Sequence, residues 1–162
     1  MDHLLLLHLM VLLGVANGAP IIATKLLGAR LAAPLDGGVR LHDGAPLFGA
    51  SKTVRGVVAS VGCTALVAPL LGFDWEVGAG FAAASLAGDL LSSFLKRRLK
   101  LEPHAEAFGM DQVPEALLPL LLFKTRLGLT PLEIAVLVAA FVLLAVLLSQ
   151  LLFRLNIRDR PY

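Results

Sequence analysis

Five apolar stretches constrain this chain more than any other feature. The longest and most apolar is Pro131–Phe153, and Leu4–Thr24, Val54–Leu71 and Val77–Leu95 are also of spanning length. A helix crosses the hydrocarbon layer with about 20 mostly apolar residues. Arg55 sits at the mouth of the second stretch, and Asp89 interrupts the third. The fifth stretch, Val113–Leu129, carries Pro114 and Pro119, with Lys124 and Arg126 near its end. It reads as a short span whose basic side chains snorkel outward, a re-entrant segment being the competing reading. Composition argues for membrane over soluble core. The chain is 57% hydrophobic and 16% charged, with a mean hydropathy of +0.82, whereas soluble domains are about 25% charged. Disorder, a coiled coil and an ordinary soluble enzyme are excluded. The expected fold is an all-α polytopic membrane protein with five transmembrane helices, forming a single integral membrane domain over residues 1–162.

The start of the chain imitates a secretory signal, with small residues near Ala16–Ala19, but it opens on Asp2 and His3 without a positive n-region, so a retained first helix is expected. Lys and Arg mark the cytoplasmic side. Lys25, Arg30, Arg40, Lys52 and Arg55 belong to the first long loop, Lys96, Arg97, Arg98 and Lys100 begin the second, and Arg154, Arg158 and Arg160 lie in the tail. Five spans with the N-terminus outside place all of these inside and leave only Lys124 and Arg126 outside. The expected localisation is the cell membrane, multi-pass, with cytoplasmic loops 25–53 and 96–112, a cytoplasmic tail 154–162, and any site on the cytoplasmic side. The two loops would form a small cytoplasmic domain. Within the first, Val39–His42 followed by Asp43-Gly44 is compatible with a short β-hairpin that keeps Pro46 on an edge.

Gly80, Ala84 and Gly88 recur every four positions and share one helical face, which lets neighbouring backbones approach closely in lipid. The third helix is therefore expected at the centre of the bundle. Gly56, Ser60, Gly62 and Ala65 suggest that the second packs nearby.

Asp89 is the most informative residue, because an acid inside a spanning helix is costly and usually faces a cavity or a partner. Asp89, Ser92, Ser93, Lys96 and Lys100 make one stripe descending to the cytoplasmic surface. Asp89 lies roughly 10 Å deeper along the axis than Lys96. The bland alternative is an ion pair with Lys96 or Arg97 that stabilises the helix end. Lys96-Arg97-Arg98 taken alone reads as an anchor for anionic lipid. Behind Asp89 it also suits a polyphosphate, which needs a divalent ion on a carboxylate with cationic groups beside it. Gly49–Gly56 offers Gly for backbone approach, Lys52 and Arg55 for phosphate oxygens and Thr53 as an extra donor, but it is not a P-loop. Lys52 and Arg55, three residues apart, are expected to share a helical face where the second span begins. Asp36, Asp43, Asp111 and Glu115 each read as turn former, solvated charge or site acid. Asn17 is polar within the first span, and a bond to a neighbouring helix is its plainer reading. The four His show no metal-ligand spacing, and the single Cys63 excludes a disulfide framework. The formal charge of +2 is too balanced for a global nucleic-acid footprint, and nothing points to a protein partner.

At these residues the sequence resembles the CDP-archaeol synthase family, which is related to the phosphatidate cytidylyltransferases. The matching stretches are Asn17-Gly18-Ala19-Pro20, Leu35-Asp36-Gly37-Gly38, Asp43-Gly44 with Pro46-Leu47-Phe48-Gly49, Lys52-Thr53-Val54-Arg55-Gly56, the run Gly88–Arg98, and Asp111-Gln112. They keep the family's order across about residues 10–125. The resemblance implies five membrane helices, a cytoplasmic nucleotide site, and transfer of CMP from CTP, with Mg²⁺, to a lipid phosphate, giving a CDP-lipid and pyrophosphate. The sequence departs from the family at two places. Ala50-Ser51 precede Lys52 where an Asp commonly stands, and Val113-Pro114-Glu115 follow Asp111-Gln112 where a second acid is usual. Glu115 is the nearest replacement.

The resulting expectation is a membrane-embedded CTP-dependent lipid-phosphate cytidylyltransferase whose partners are CTP and a membrane lipid phosphate. Asp89 and Asp111, with Glu115 as a further candidate, would hold Mg²⁺. Lys52, Arg55, Lys96 and Arg97 would bind phosphates, with Thr53, Arg98 and Gln112 in the substrate site, and Asp36, Asp43 and Asn17 would shape its mouth. A non-enzymatic scaffold for anionic lipids accounts for the basic loops but not for Asp89. A small transporter would carry acids deeper in several helices. A CDP-alcohol phosphatidyltransferase would need Ala-Arg after Asp43-Gly44 at a spacing that is absent.

Overall fold

A computed structural model describes residues 2–100 and 110–154, with side chains through residue 150. Its elements are helical: α1 (His3–Leu27), α2 (Val54–Val67), a 3₁₀ turn (Ala68–Leu71), α3 (Trp75–Arg98), α4 (Gln112–Leu122), the single turn α5 (Lys124–Leu127) and α6 (Pro131–Arg154). The described residues contain no sheet, and α1, α2 with its 3₁₀ extension, α3 and α6 are each long and apolar enough to cross a membrane. Large apolar side chains on every one of these helices point outward; Leu70, for example, is 82% exposed. An apolar exterior is what lipid requires, so the chain is a membrane protein.

The helix ends follow local chemistry. Asp2 Oδ1 accepts from the backbone N–H groups of Leu4 and Leu5 at 3.0 and 3.2 Å, satisfying donors that the first turn of α1 cannot pair internally. Thr53 caps α2 by accepting from the Gly56 N–H at 3.3 Å. Glu133 accepts from the N–H and hydroxyl of Thr130, a capping box that opens α6.

The fifth apolar stretch departs from one continuous helix. α4 and α5 are separate pieces meeting at Phe123, and residues 112–127 would rise only roughly 24 Å if helical throughout. Pro119, inside α4, has no N–H for the helical ladder, and Gly128 closes α5 in a left-handed conformation, φ +66°.

As the small-residue spacing predicts, α3 is central and packs on α1, α2 and α4. A Cβ at Gly78 would stand 2.6 Å from the Thr64 carbonyl of α2, and one at Gly80 would stand 2.8 Å from the Phe123 ring. The core is shared by Leu9, Leu12 and Leu13 of α1, Phe81 of α3, Leu120 of α4 and Leu137 of α6. Between helices surrounded by lipid tails, such contacts act through close packing. Two polar bonds join the same elements: the Ser60 hydroxyl donates to the Ala16 carbonyl at 2.7 Å, and the Asn17 amide donates to Ser85 Oγ at 3.1 Å.

The loop between α1 and α2 contains no β-hairpin. It has two isolated antiparallel bridges, Pro34 with Thr53 and Arg40 with Pro46. The reversal at Asp43-Gly44 is flanked by two bonds, Leu41 N–H to Ala45 O and Leu47 N–H to Val39 O, both 3.0 Å, which leave Arg40 and Pro46 as a non-hydrogen-bonded pair that needs no N–H from the proline. Of the two expected loops and the tail, residues 101–109 and 155–162 lie outside the described residues.

Candidate active site

The polar residues gather where α3 ends, α4 begins and the first loop enters α2. Lys52 is the last loop residue before the α2 cap, held extended by the Leu35 N–H bond to its carbonyl at 2.7 Å. Its ammonium reaches 37 residues along the chain to Asp89, donating to Oδ1 at 2.6 Å and Oδ2 at 2.5 Å. Asp89 therefore takes its partner from another element, not from Lys96 or Arg97 on its own helix. Its side chain is only 15% exposed.

Glu115, in the first turn of α4, brings its carboxyl into hydrogen-bonding reach of Asp89, with Lys52 close to both. Like charges this near repel, and the ammonium offsets that repulsion. Gly88 makes the meeting possible, since α4 passes so near α3 there that a Cβ would stand 2.8 Å from the Glu115 backbone nitrogen. One turn below Asp89 on α3, Ser85 receives Asn17, so Asn17 takes the helix-linking role.

Lys96, 8% exposed, pairs with Asp111 at the entrance to α4. Next to Asp111, Gln112 has its Oε1 buried without a hydrogen-bond partner. The three acids expected to hold a metal thus separate into a facing pair, Asp89 and Glu115, and a salt-bridged Asp111. Among the described residues, no group of three or more His, Cys, Asp or Glu is placed to hold a metal ion. The pair nonetheless fits Mg²⁺, a hard cation that binds through one or two carboxylates and completes its shell with water and substrate phosphates.

The expected phosphate-binding cations divide into two groups. Arg55, 9% exposed, donates through Nη1 to the carbonyls of Gly28 and Arg30 at 2.6 and 2.7 Å. Arg98 donates to Asp43 Oδ2 at 2.6 Å and to the Pro46 carbonyl at 2.7 Å while its guanidinium lies over the Phe94 ring. Both arginines fasten the first loop to the bundle. The expected common helical face of Lys52 and Arg55 is not formed, because α2 begins at Val54 and Thr53 is its cap. Thr53 Oγ1 is correspondingly committed to the Gly56 N–H. Arg97 sits half-buried on the last turn of α3.

Asp36 and Asp43 organise the loop internally. Asp36 accepts from the N–H groups of Gly38, Phe48 and Gly49 at 3.0 to 3.1 Å. These donors, Phe48 first and then Gly49, hold its carboxyl below the usual Asp range. Asp43 accepts from the Ala45 N–H, which with Arg98 lowers its pKa too. Neither pattern was legible in the sequence beyond the Asp-Gly turn signals. Ser85 and the facing of Glu115 on Asp89 were not anticipated either; the Gly80/Ala84/Gly88 spacing was the one signal that α3 would meet a neighbour so closely.

Beside this cluster an apolar groove of about 710 Å³ runs between α4 and α6, lined by Val113, Leu117, Leu121, Ile134, Val138 and Val142 among others. The short connection between α5 and α6 makes α4 and α6 antiparallel neighbours, and Val113 brings the groove to the turn that carries Glu115.

The family model for CDP-archaeol synthases (CarS-like) matches residues 75–162. A CDP-archaeol synthase of Pyrobaculum calidifontis is 33% identical over 156 residues, covering 91% of each chain. That of Pyrococcus furiosus is 36% identical over 107 residues, 60% of each chain. A solved structure described as an intramembrane enzyme for archaeal membrane lipids biosynthesis superposes with a TM-score of 0.73 at 32% identity, covering 85% of this chain and 88% of that one.

Proposed function

The chain belongs to the CDP-archaeol synthase family, and from that premise we propose that it transfers CMP from CTP to a membrane lipid phosphate, releasing pyrophosphate and leaving a CDP-lipid. The observation that carries this reading is the meeting of Asp89, Glu115 and Lys52 at the foot of the first loop. Asp89 and Glu115 would hold Mg²⁺, which supplies positive charge against the triphosphate when bound. Lys52 turns from Asp89 to the phosphates, Lys96 lies ready beside Asp111, and Gln112 offers a buried acceptor at the same edge. An oxygen of the lipid phosphate attacks the α-phosphorus in line. The new P–O bond forms as the bond to the β-phosphate oxygen breaks, and the pair of electrons leaves with pyrophosphate. The attacking group is already an anion, so positioning and charge neutralisation carry the reaction.

The lipid chain lies along the groove between α4 and α6, with its phosphate at the Val113 end. α4 and α5 together form the fifth pass. The N-terminus is outside, and the loops form a small cytoplasmic domain containing the site. The test uses full-length protein in detergent with CTP, Mg²⁺ and a panel of isoprenoid-ether and acyl-ester lipid phosphates, scoring CDP-lipid and pyrophosphate. Asp89→Asn keeps the shape and removes the charge, so it should cut turnover by roughly 100-fold or more while the thermal unfolding profile persists. Near-normal turnover in that variant removes Asp89 from the site, and failure of the wild type to form a CDP-lipid from any phosphate in the panel overturns the activity.

A further inference from the structure

α3 and α4 touch backbone to backbone at Gly88. A Cβ on Gly88 would lie 2.5 Å from the Pro114 carbonyl carbon and 2.8 Å from the Glu115 backbone nitrogen, with the Pro114 carbonyl oxygen nearer still. These are main-chain atoms and cannot swing aside. Gly80, two turns earlier on the same face, differs in kind, since a Cβ there would meet only the tip of the Phe123 ring. Gly88 is bonded to Asp89 and Pro114 to Glu115, so the backbone contact fixes how far apart the two facing carboxyls sit.

We propose that Gly88 is a positioning residue for the Asp89–Glu115 pair: its missing side chain holds the first turn of α4 near enough to α3 for both carboxylates to bind one divalent cation. The proposal rests on reading that pair as the Mg²⁺ site. Non-bonded carbons settle about 3.5–4.0 Å apart, so a methyl group at position 88 drives α4 back by about 1 Å. The two carboxylates stand on different helices, and that retreat parts them without removing either. Misplacement of this size at a site can cost about 100-fold.

The test is Mn²⁺ binding, followed by electron paramagnetic resonance, to full-length protein in detergent without substrates, alongside thermal unfolding. Gly88→Ala should weaken Mn²⁺ binding about tenfold or more, as Asp89→Asn and Glu115→Gln do. Gly80→Ala, which disturbs the same helix pair away from the carboxylates, should stay within about twofold of the wild type. Adding Glu115→Gln to Gly88→Ala should cost little more, because the second ligand is already out of reach, whereas independent sites add. Asp89→Glu in the Gly88→Ala background, longer by one methylene, should recover part of the binding. Wild-type affinity in Gly88→Ala, or full additivity with Glu115→Gln, overturns the proposal. If Asp89→Asn and Glu115→Gln themselves bind Mn²⁺ like the wild type, the metal reading fails and the proposal falls with it. If those two lose binding and Gly88→Ala does not, only the positioning role falls. Should Gly88→Ala fail to fold, Asp89→Glu alone asks the same question. A separation fixed by the backbone contact makes the longer carboxylate lose affinity, and unchanged Mn²⁺ binding overturns the proposal.

Discussion

Lys52 and Arg55 are neighbours in sequence with opposite commitments. The Lys52 ammonium has one partner, a carboxylate that can exchange it for a cation, whereas the buried Arg55 guanidinium is held by two backbone carbonyls. Lys52→Gln should therefore weaken binding of a non-transferable CTP analogue by about 10- to 150-fold, the equivalent of one charge-assisted hydrogen bond, and should also lower stability, because it leaves Asp89 and Glu115 facing each other without the ammonium between them. Arg55→Gln should lower stability by about 1.5–3 kcal/mol while the folded protein binds the analogue within about twofold of wild type. Equal affinity in Lys52→Gln and wild type would exclude Lys52 from the nucleotide site. Asp36 gives a pH test of the loop. Its pKa in the folded loop is lowered by the Phe48 and Gly49 N–H groups, so the folded form favours the charged carboxylate. The stabilisation is complete above the ordinary Asp range and is lost as pH falls through the lowered value. Protection of the Phe48 and Gly49 amides, taken against the intrinsic exchange rate at each pH, should fall in that acid window, and Asp36→Asn should show low protection already at neutral pH. Slow exchange in that variant would show that the loop is held by other contacts.

The four long helices were legible because each is a mostly apolar run of about the length the hydrocarbon layer requires, and their ends, with the 3₁₀ turn counted into the second, fall within about three residues of the runs read from sequence. α3 at the centre was legible from Gly80, Ala84 and Gly88. The site was legible as a set of residues but not as a set of pairs. Lys52 meets Asp89 across 37 residues and Arg98 meets Asp43 across 55, and no periodicity encodes contacts between a loop and a distant helix. The Lys52/Arg55 spacing misled because a helical face exists only after the cap at Thr53. The break of α4 was partly visible in Pro119, but its consequence, an apolar groove against α6, depended on packing. Filling that groove tests what it holds. Leu117→Trp and Val138→Trp, on facing helices, should each raise KM for the lipid phosphate about tenfold and leave KM for CTP within about twofold. Equal effects on both would mean that the substitutions distort the bundle instead of blocking a chain.

On the scale of the whole molecule, charge and connectivity set one end of the bundle apart from the other. The Arg98–Asp43 pair, the Lys52–Asp89 pair and the Lys96–Asp111 pair lie at the end where α1 leaves and α2 enters. At the opposite end the exposed Arg126–Asp74 pair joins the connection before α3 to the turn α5. Twelve of the fourteen Lys and Arg belong to loops and a tail that five passes would bring to the first end, and such an excess faces the cytoplasm. CTP is a cytoplasmic nucleotide triphosphate, so the proposed activity requires the same orientation. The short α4–α5 pair is the weak link, because a re-entrant hairpin would return Lys124 and Arg126 to the cytoplasmic side. Position 125, exposed between them, and position 50, exposed in the first loop, separate the alternatives. With the exposed native Cys63 replaced by Ala, Ala50→Cys should react with an impermeant maleimide only when the cytoplasmic face is accessible, and Thr125→Cys only from outside. Reaction of both from the cytoplasmic face would make α4–α5 re-entrant. Exchange of the two patterns would invert the protein and place the carboxylate pair beyond the reach of cytoplasmic CTP.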